Sequence, residues 1–301
     1  MRRVVPLLTI LMLLILSESF AQHQIVTPES LKMYEPRTYQ DLPYRLMEPI
    51  DLADHPEKAY PLVLSLHGAH GKGNDNLKNI ESWNRVMAEE KWRRVYPCFV
   101  VVPQTRFQWF EPGMIPDLTE DDIEQFPDAY RDYFKTSEGI MENLKKGEQL
   151  ETAFELLDEL SGEFHVDADR VYVLGHSMGG TGTWNAIHQQ PERFAAAIPT
   201  AGGFVPWLDA QRIRHVPIWG FHGSADDVVP VGFTQNAFDR LKSVGGNMKY
   251  TELVGMPHEI EMTAFVYEGD DPDRGFITQY SSDRCDRTQN IWDWLFAQRR
   301  Q

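Results

Sequence analysis

Three residue types in a fixed chain order carry the chemistry available to this sequence. Gly175-His176-Ser177-Met178-Gly179 follows the apolar run Val171-Tyr172-Val173-Leu174 and precedes a stretch with helical patterning. A G-x-S-x-G sequence between a buried strand and a helix is a nucleophile elbow, a tight turn that projects a serine hydroxyl off the end of a sheet. Side chains at 175 and 179 would collide with neighbouring backbone in such a turn, which is why glycine stands at both. The helix N-terminus that follows favours negative charge and so helps to hold an oxyanion.

A hydroxyl is a weak nucleophile until a base takes its proton, and the base needs an acid to orient it. With this elbow the chain order is serine, then acid, then histidine. After Ser177, the run Ile218-Trp219-Gly220-Phe221 ends in the loop His222-Gly223-Ser224-Ala225-Asp226-Asp227-Val228-Val229-Pro230. Asp226 is assigned as the acid and Asp227 is its rival, because spacing does not say which carboxylate turns inward. Only one of the ten histidines, His258, lies beyond that loop, in Gly255-Met256-Pro257-His258-Glu259. Such a base must be neutral, so activity is expected to fall below about pH 6–7.

The oxyanion is assigned to two backbone N–H groups, that of Met178 and that of Ala69 in His67-Gly68-Ala69-His70-Gly71-Lys72-Gly73. Gly71-Lys72-Gly73 lacks the spacing of a phosphate loop. The other histidines show no metal-ligand spacing, and His176, His67 and His222 read as a spacer in the elbow and two strand ends. No metal and no cofactor is expected.

Five apolar runs bounded by glycine, proline or histidine fit strands buried on both faces: 62–66, 99–102, 171–174, 195–198 and 218–221. A further strand-like stretch covers 250–254. Helical stripes fall over 147–162, 178–190, 231–243 and 288–299. The alternation predicts an α/β fold with a doubly wound, mostly parallel sheet, in a single domain over residues 22–301. Two stretches break the rhythm. Residues 105–138 and 262–287 mix aromatics with acids, as functional loops or lids do, or as a solvated surface with its aromatics tucked inward. Trp109, Phe204 and Trp207 follow strands at their C-terminal ends, where ligands bind, and are candidate substrate contacts, with core packing as the alternative.

Arg2 and Arg3 precede an apolar run over 4–16 and the small-x-small sequence Ser19-Phe20-Ala21. That pattern is a secretory leader over residues 1–21, too short to serve comfortably as a membrane span. The product is expected to be secreted or periplasmic, with no stable membrane anchor. Export makes a bond between the two cysteines, Cys98 and Cys285, chemically feasible, but Cys98 opens an apolar run and fits the core as a small hydrophobe. The 301 residues carry a net charge of −16, which argues against a nucleic-acid partner. Only two cysteines, 42% hydrophobic and 25% charged content exclude a disulfide scaffold and a disordered chain.

Taken together, these residues resemble the α/β-hydrolase superfamily. Within it the chain is similar to the secreted dienelactone-hydrolase-like and phospholipase/carboxylesterase-like branch, which includes predicted peptidases and feruloyl or acetylxylan esterases. The blocks that carry the likeness are Pro61-Leu62-Val63-Leu64-Ser65-Leu66-His67-Gly68, Val101-Val102-Pro103-Gln104, residues 167–180, the loop 222–230 and Trp292-Asp293-Trp294-Leu295. They cover about residues 40–300. Two features depart from that branch: no aromatic follows closely behind His258, and the insertion 262–287 precedes the last helix. The resemblance implies acyl transfer. His258 takes the Ser177 proton, Ser177 attacks an ester carbonyl, Met178 and Ala69 hold the oxyanion, and water releases the acid. The substrate expected is a small-molecule or polysaccharide-linked ester. A serine peptidase of the prolyl-oligopeptidase-like type and a non-enzymatic ligand-binding module on the same scaffold are the competing readings.

Overall fold

Residues that cannot face water on either side of a sheet must lie at its centre, and the apolar runs do. The computed structural model describes residues 28–110, 119–136, 149–203 and 205–300. The expected leader over 1–21, part of segment 105–138 and Phe204 lie outside them.

The strands are β1 (Glu35–Tyr39), β2 (Leu42–Met47), β3 (Tyr60–Leu66), β4 (Phe99–Pro103), β5 (Val166–His176), β6 (Ala196–Thr200), β7 (Ile218–Gly223), β8 (Met248–Leu253) and β9 (Ile277–Tyr280). They form one sheet in the order β1-β2-β4-β3-β5-β6-β7-β8-β9. The inner pairs from β4 to β8 are parallel, while β1 on β2, β2 on β4 and β9 on β8 are antiparallel. The α/β class and mostly parallel sheet are therefore present, with an antiparallel border.

That border gives no apolar run to read. In β1 three of five residues are exposed, Ile277 of β9 is 52% exposed, and β2 carries Pro43 and a buried arginine. Arg45 is held there by the carbonyls of Asn76 and Tyr34.

Side chains alternate between the two faces with the period of two that strands impose. Leu62, Leu64, Val101, Val173, Ala197 and Ile218 pack under the helices Leu150–Glu163, Met178–Gln189 and Gly232–Ser243. Val63, Val100, Tyr172, Leu174, Ile198 and Trp219 pack under Ser82–Ala88 and Ile291–Ala297. Aromatics of the two rhythm-breaking segments turn inward where the structure describes them. Trp109, Phe110, Tyr130 and Phe134 join the first layer, and Phe265, Tyr267 and Phe276 join the second. Segment 262–287 also supplies β9, so that stretch forms the sheet edge. Cys98 and Cys285 are both buried and unbonded to each other.

The chain leaves β3 for β4 on one side and returns to β5 on the other. This reversal makes a switch point at the C-terminal ends of β3 and β5, the place where open α/β sheets bind ligands. The loop 67–73 leaves β3 there, and Ser177 leaves β5.

Candidate active site

Ser177 sits at φ 58° and ψ −119°, a conformation that L-residues rarely adopt. What holds it there is crowding. A Cβ on Gly179 would stand 1.9 Å from Leu66 O, and one on Gly175 would stand 2.6 Å from both Leu66 O and Gly179 O. The Ser177 N–H donates to Thr200 O at 2.9 Å, and the Thr200 hydroxyl donates to Gly175 O at 2.6 Å, which locks the elbow against β6.

The loops after β7 and β8 deliver the partners. They are knitted together by the Ala225 N–H to Met256 O (2.9 Å) and the Gly255 N–H to Ser224 Oγ (2.8 Å). His258 Nδ1 lies 2.7 Å from Asp226 Oδ2, and His258 Nε2 lies 2.8 Å from Ser177 Oγ. A carboxylate only accepts, so Nδ1 carries the proton and Nε2 is left to receive the serine hydroxyl. Asp227, the rival acid, is exposed.

Asp226 has further donors. Its Oδ1 accepts the N–H groups of Val228 (2.9 Å) and Val229 (2.7 Å), and its Oδ2 lies 3.1 Å from His222 Nε2. Burial pushes this carboxyl up, but the hydrogen bonds from His222, His258 and Val229 outweigh it and hold the group well below the usual carboxylate range. His222 Nε2 also reaches Val229 O at 2.8 Å, so Nε2 donates, and Nδ1 accepts the Thr234 hydroxyl at 2.7 Å. In sequence His222 reads as a strand end, and the structure gives it a contact to the Asp226 carboxylate as well. Its spacing of four from Asp226 across one tight loop was the available signal.

The loop after β3 is fixed before any ligand arrives. The Thr105 N–H donates to His67 Nε2 (3.1 Å), so His67 Nδ1–H donates to Gly68 O (2.7 Å). Full burial pushes His67 down to about 4, keeping it neutral. Gln104 Nε2 reaches Gly71 O at 2.9 Å, and its Oε1 accepts the Asn76 N–H at 2.6 Å. The Gly68 N–H is taken by Glu81 Oε1 at 2.9 Å. The next amide, Ala69, opens the short 3₁₀ turn Ala69–Gly71, and Met178 opens the helix after the elbow. The first amides of a helical turn have no partner within it, so neither N–H is used by its own turn.

Burial raises the Glu81 carboxyl to about 7, with Glu261 adding to the rise and the Gly68 N–H opposing it. His176, beneath Ser177, is also drawn into the site. Its Nε2 lies 2.9 Å from His258 O.

The candidate substrate contacts separate. Trp109 has no exposed surface. Its Nε1–H donates to His67 O at 3.1 Å, and Gly182 packs against its Cβ, so it supports the loop after β3 and presents no face to a ligand. Trp207 is partly exposed and stacks on Phe134 with ring centroids 6.1 Å apart. Phe204 lies outside the described residues. Among those residues no group of three or more His, Cys, Asp or Glu could hold a metal, and no helix is long and apolar enough to cross a membrane.

Comparison with known proteins relates the chain to esterases. The family model described as Phospholipase/Carboxylesterase matches residues 53–266, well over half of the chain. A bifunctional acetylxylan esterase/xylanase, XynS20E of Neocallimastix patriciarum, is 28% identical over 152 residues, covering 47% of this chain and 22% of that protein. An uncharacterized secreted protein of Arthroderma benhamiae is 30% identical over 122 residues, covering 31% of this chain and 13% of its own. The chain thus spans about a fifth or less of these curated relatives. A solved structure of a thermostable esterase superposes with a TM-score of 0.67 and 30% identity, covering 90% of this chain and 64% of that one.

Proposed function

The chain belongs to the phospholipase/carboxylesterase family, and we propose that it is a serine hydrolase of carboxylic esters working through Ser177, His258 and Asp226. The observation that carries the reading is the unbroken line from Ser177 Oγ through both nitrogens of His258 to Asp226, at 2.8 and 2.7 Å. In the proposed cycle His258 Nε2 accepts the serine proton as Oγ attacks the ester carbonyl. The N–H groups of Ala69 and Met178 receive the oxyanion, and Asp226 balances the imidazolium. The imidazolium then protonates the departing alcohol, leaving an acyl-Ser177 ester. Water, deprotonated by the same histidine, cleaves that ester and restores the serine.

For the substrate, the acetylxylan esterase relative favours an ester on a carbohydrate, and the partly exposed Trp207, backed by the buried Phe134, offers an aromatic surface for stacking. The proposal includes export. Residues 1–21 would be removed, leaving one catalytic domain over 22–301; the leader pattern and the secreted relative support this. Kinetics on p-nitrophenyl acetate, methyl ferulate and acetylated xylan test the reading, with Ser177→Ala as control. Turnover of an ester that is lost with Ser177→Ala is the expected result. Hydrolysis confined to peptide substrates, or activity that survives the substitution, overturns it.

A further inference from the structure

We propose that His176 is a positioning residue for the catalytic base: its Nε2–H holds the main chain of His258 against the elbow that bears Ser177. The inference rests on the triad reading above and extends it to a residue that does not touch substrate.

The contact is a hydrogen bond with one direction. His176 Nε2 lies 2.9 Å from His258 O, and a carbonyl only accepts, so the proton sits on Nε2. Glu261 Oε2, buried and with no hydrogen-bond partner, lies 3.7 Å from the same nitrogen and favours that tautomer electrostatically. The ring is almost wholly buried, with its centroid 5.0 Å from the His258 ring and 6.4 Å from Trp83. Burial, with His258 and His222 opposing a second positive charge, pushes it down to about 3, against the pull of its hydrogen bond to His258 O and of Asp226. It therefore stays neutral while His258 cycles, and does not compete for the serine proton.

The bond closes a circuit. His176 is covalently next to Ser177, the Ser177 hydroxyl meets the His258 ring, and the His258 carbonyl returns to His176. Among the described residues the other donor to His258 O is the Ile260 N–H, at 2.9 Å, from its own turn. Ser177 and His258 follow different strands, so a bond from the side chain next to Ser177 to the main chain of His258 restrains their separation, and a drift of about 1 Å in a reacting pair can cost about a hundredfold in rate.

The test separates the donor from the ring, using the full mature chain and p-nitrophenyl acetate. His176→Phe keeps an aromatic ring and removes the donor; His176→Gln loses the ring and keeps an amide near the Nε2 position. The expected result is a kcat about ten- to a hundredfold lower for His176→Phe with KM held within about twofold. His176→Gln should stay within about fivefold of wild type. The reverse order, or equal loss in both, means the ring only packs and overturns the proposal. If His176→Phe fails to fold, His176→Asn, whose amide is too short for the carbonyl, takes its place and must fall below His176→Gln. Wild type and Ser177→Ala run alongside: if these two match, the hydrolase reading itself has failed, whatever the His176 series shows.

Discussion

His222 Nε2 lies 3.1 Å from Asp226 Oδ2, the same oxygen that receives His258 Nδ1 at 2.7 Å. One carboxylate oxygen thus serves two imidazoles, while the other takes two backbone amides. These contacts fix the Asp226 carboxylate in place and keep it ionised.

Asp226→Asn removes that charge and can offer Nδ2–H to His258, which turns the imidazole to the wrong tautomer. A loss of about 10⁴ in kcat is expected, as for other triads of this kind. Asp227→Asn, one residue along in solvent, should leave kcat near wild type. Steady-state kinetics on one ester decide between the two acids.

Stability should fall with acid. His67 and His176 have folded-state values of about 4 and 3 against 6.5 when unfolded. Between those limits the unfolded chain binds protons that the folded chain does not, so stability rises with pH up to about 6.5. By this linkage the change amounts to about 3 kcal/mol for His67 and about 5 kcal/mol for His176. Glu81 runs the other way: it is held at about 7 against 4.5, so the folded state keeps a proton that the unfolded state loses, and stability declines from about pH 4.5 to 7. Urea midpoints measured from pH 4 to 8 should show the rise, and Glu81→Gln should steepen it by removing the opposing slope. A flat profile would contradict this account of the buried histidines.

Gly179→Ala should destroy the elbow, because its Cβ would lie 1.9 Å from Leu66 O and backbone cannot yield that far. Gly162→Ala is the contrasting case. Nothing lies within 4 Å of the added carbon in the helix Leu150–Glu163, and a gain of about 0.5–1 kcal/mol is expected. Thermal melting of both variants checks the pair.

Trp109→Phe should act on stability and leave KM unchanged. The indole N–H is the donor to His67 O, and a buried carbonyl left bare costs about 1–3 kcal/mol. A selective rise in KM without loss of stability would return Trp109 to the substrate pocket.

These residues also show where a sequence can be read and where it cannot. β3, β4, β5, β6 and β7 announce themselves because a strand buried on both faces has no polar position to interrupt it. β1 and β9 border the sheet, face water, and give no run. The G-x-S-x-G turn singles out position 177 and chain order singles out 258, since both constraints are local or topological. Asp226 and Asp227 differ by one residue, and only the turn of the loop 222–230 sends the first towards His258. His176 and His222 were read as fillers because the groups that define them, His258 O and Asp226 Oδ2, are set by tertiary folding. Trp109 misled for the opposite reason: an aromatic at a strand C-terminus can line a pocket or plug the space beneath its loop, and composition is the same in both.

The most direct measurement is intact mass of the mature chain before and after a fluorophosphonate probe, with peptide mapping of any adduct. One adduct, on Ser177, lost in His258→Ala, is the predicted result, because only a serine paired with a neutral imidazole attacks phosphorus at a useful rate. A folded chain that takes up no probe, or takes it up equally without His258, would contradict the claim that Ser177 is an activated nucleophile.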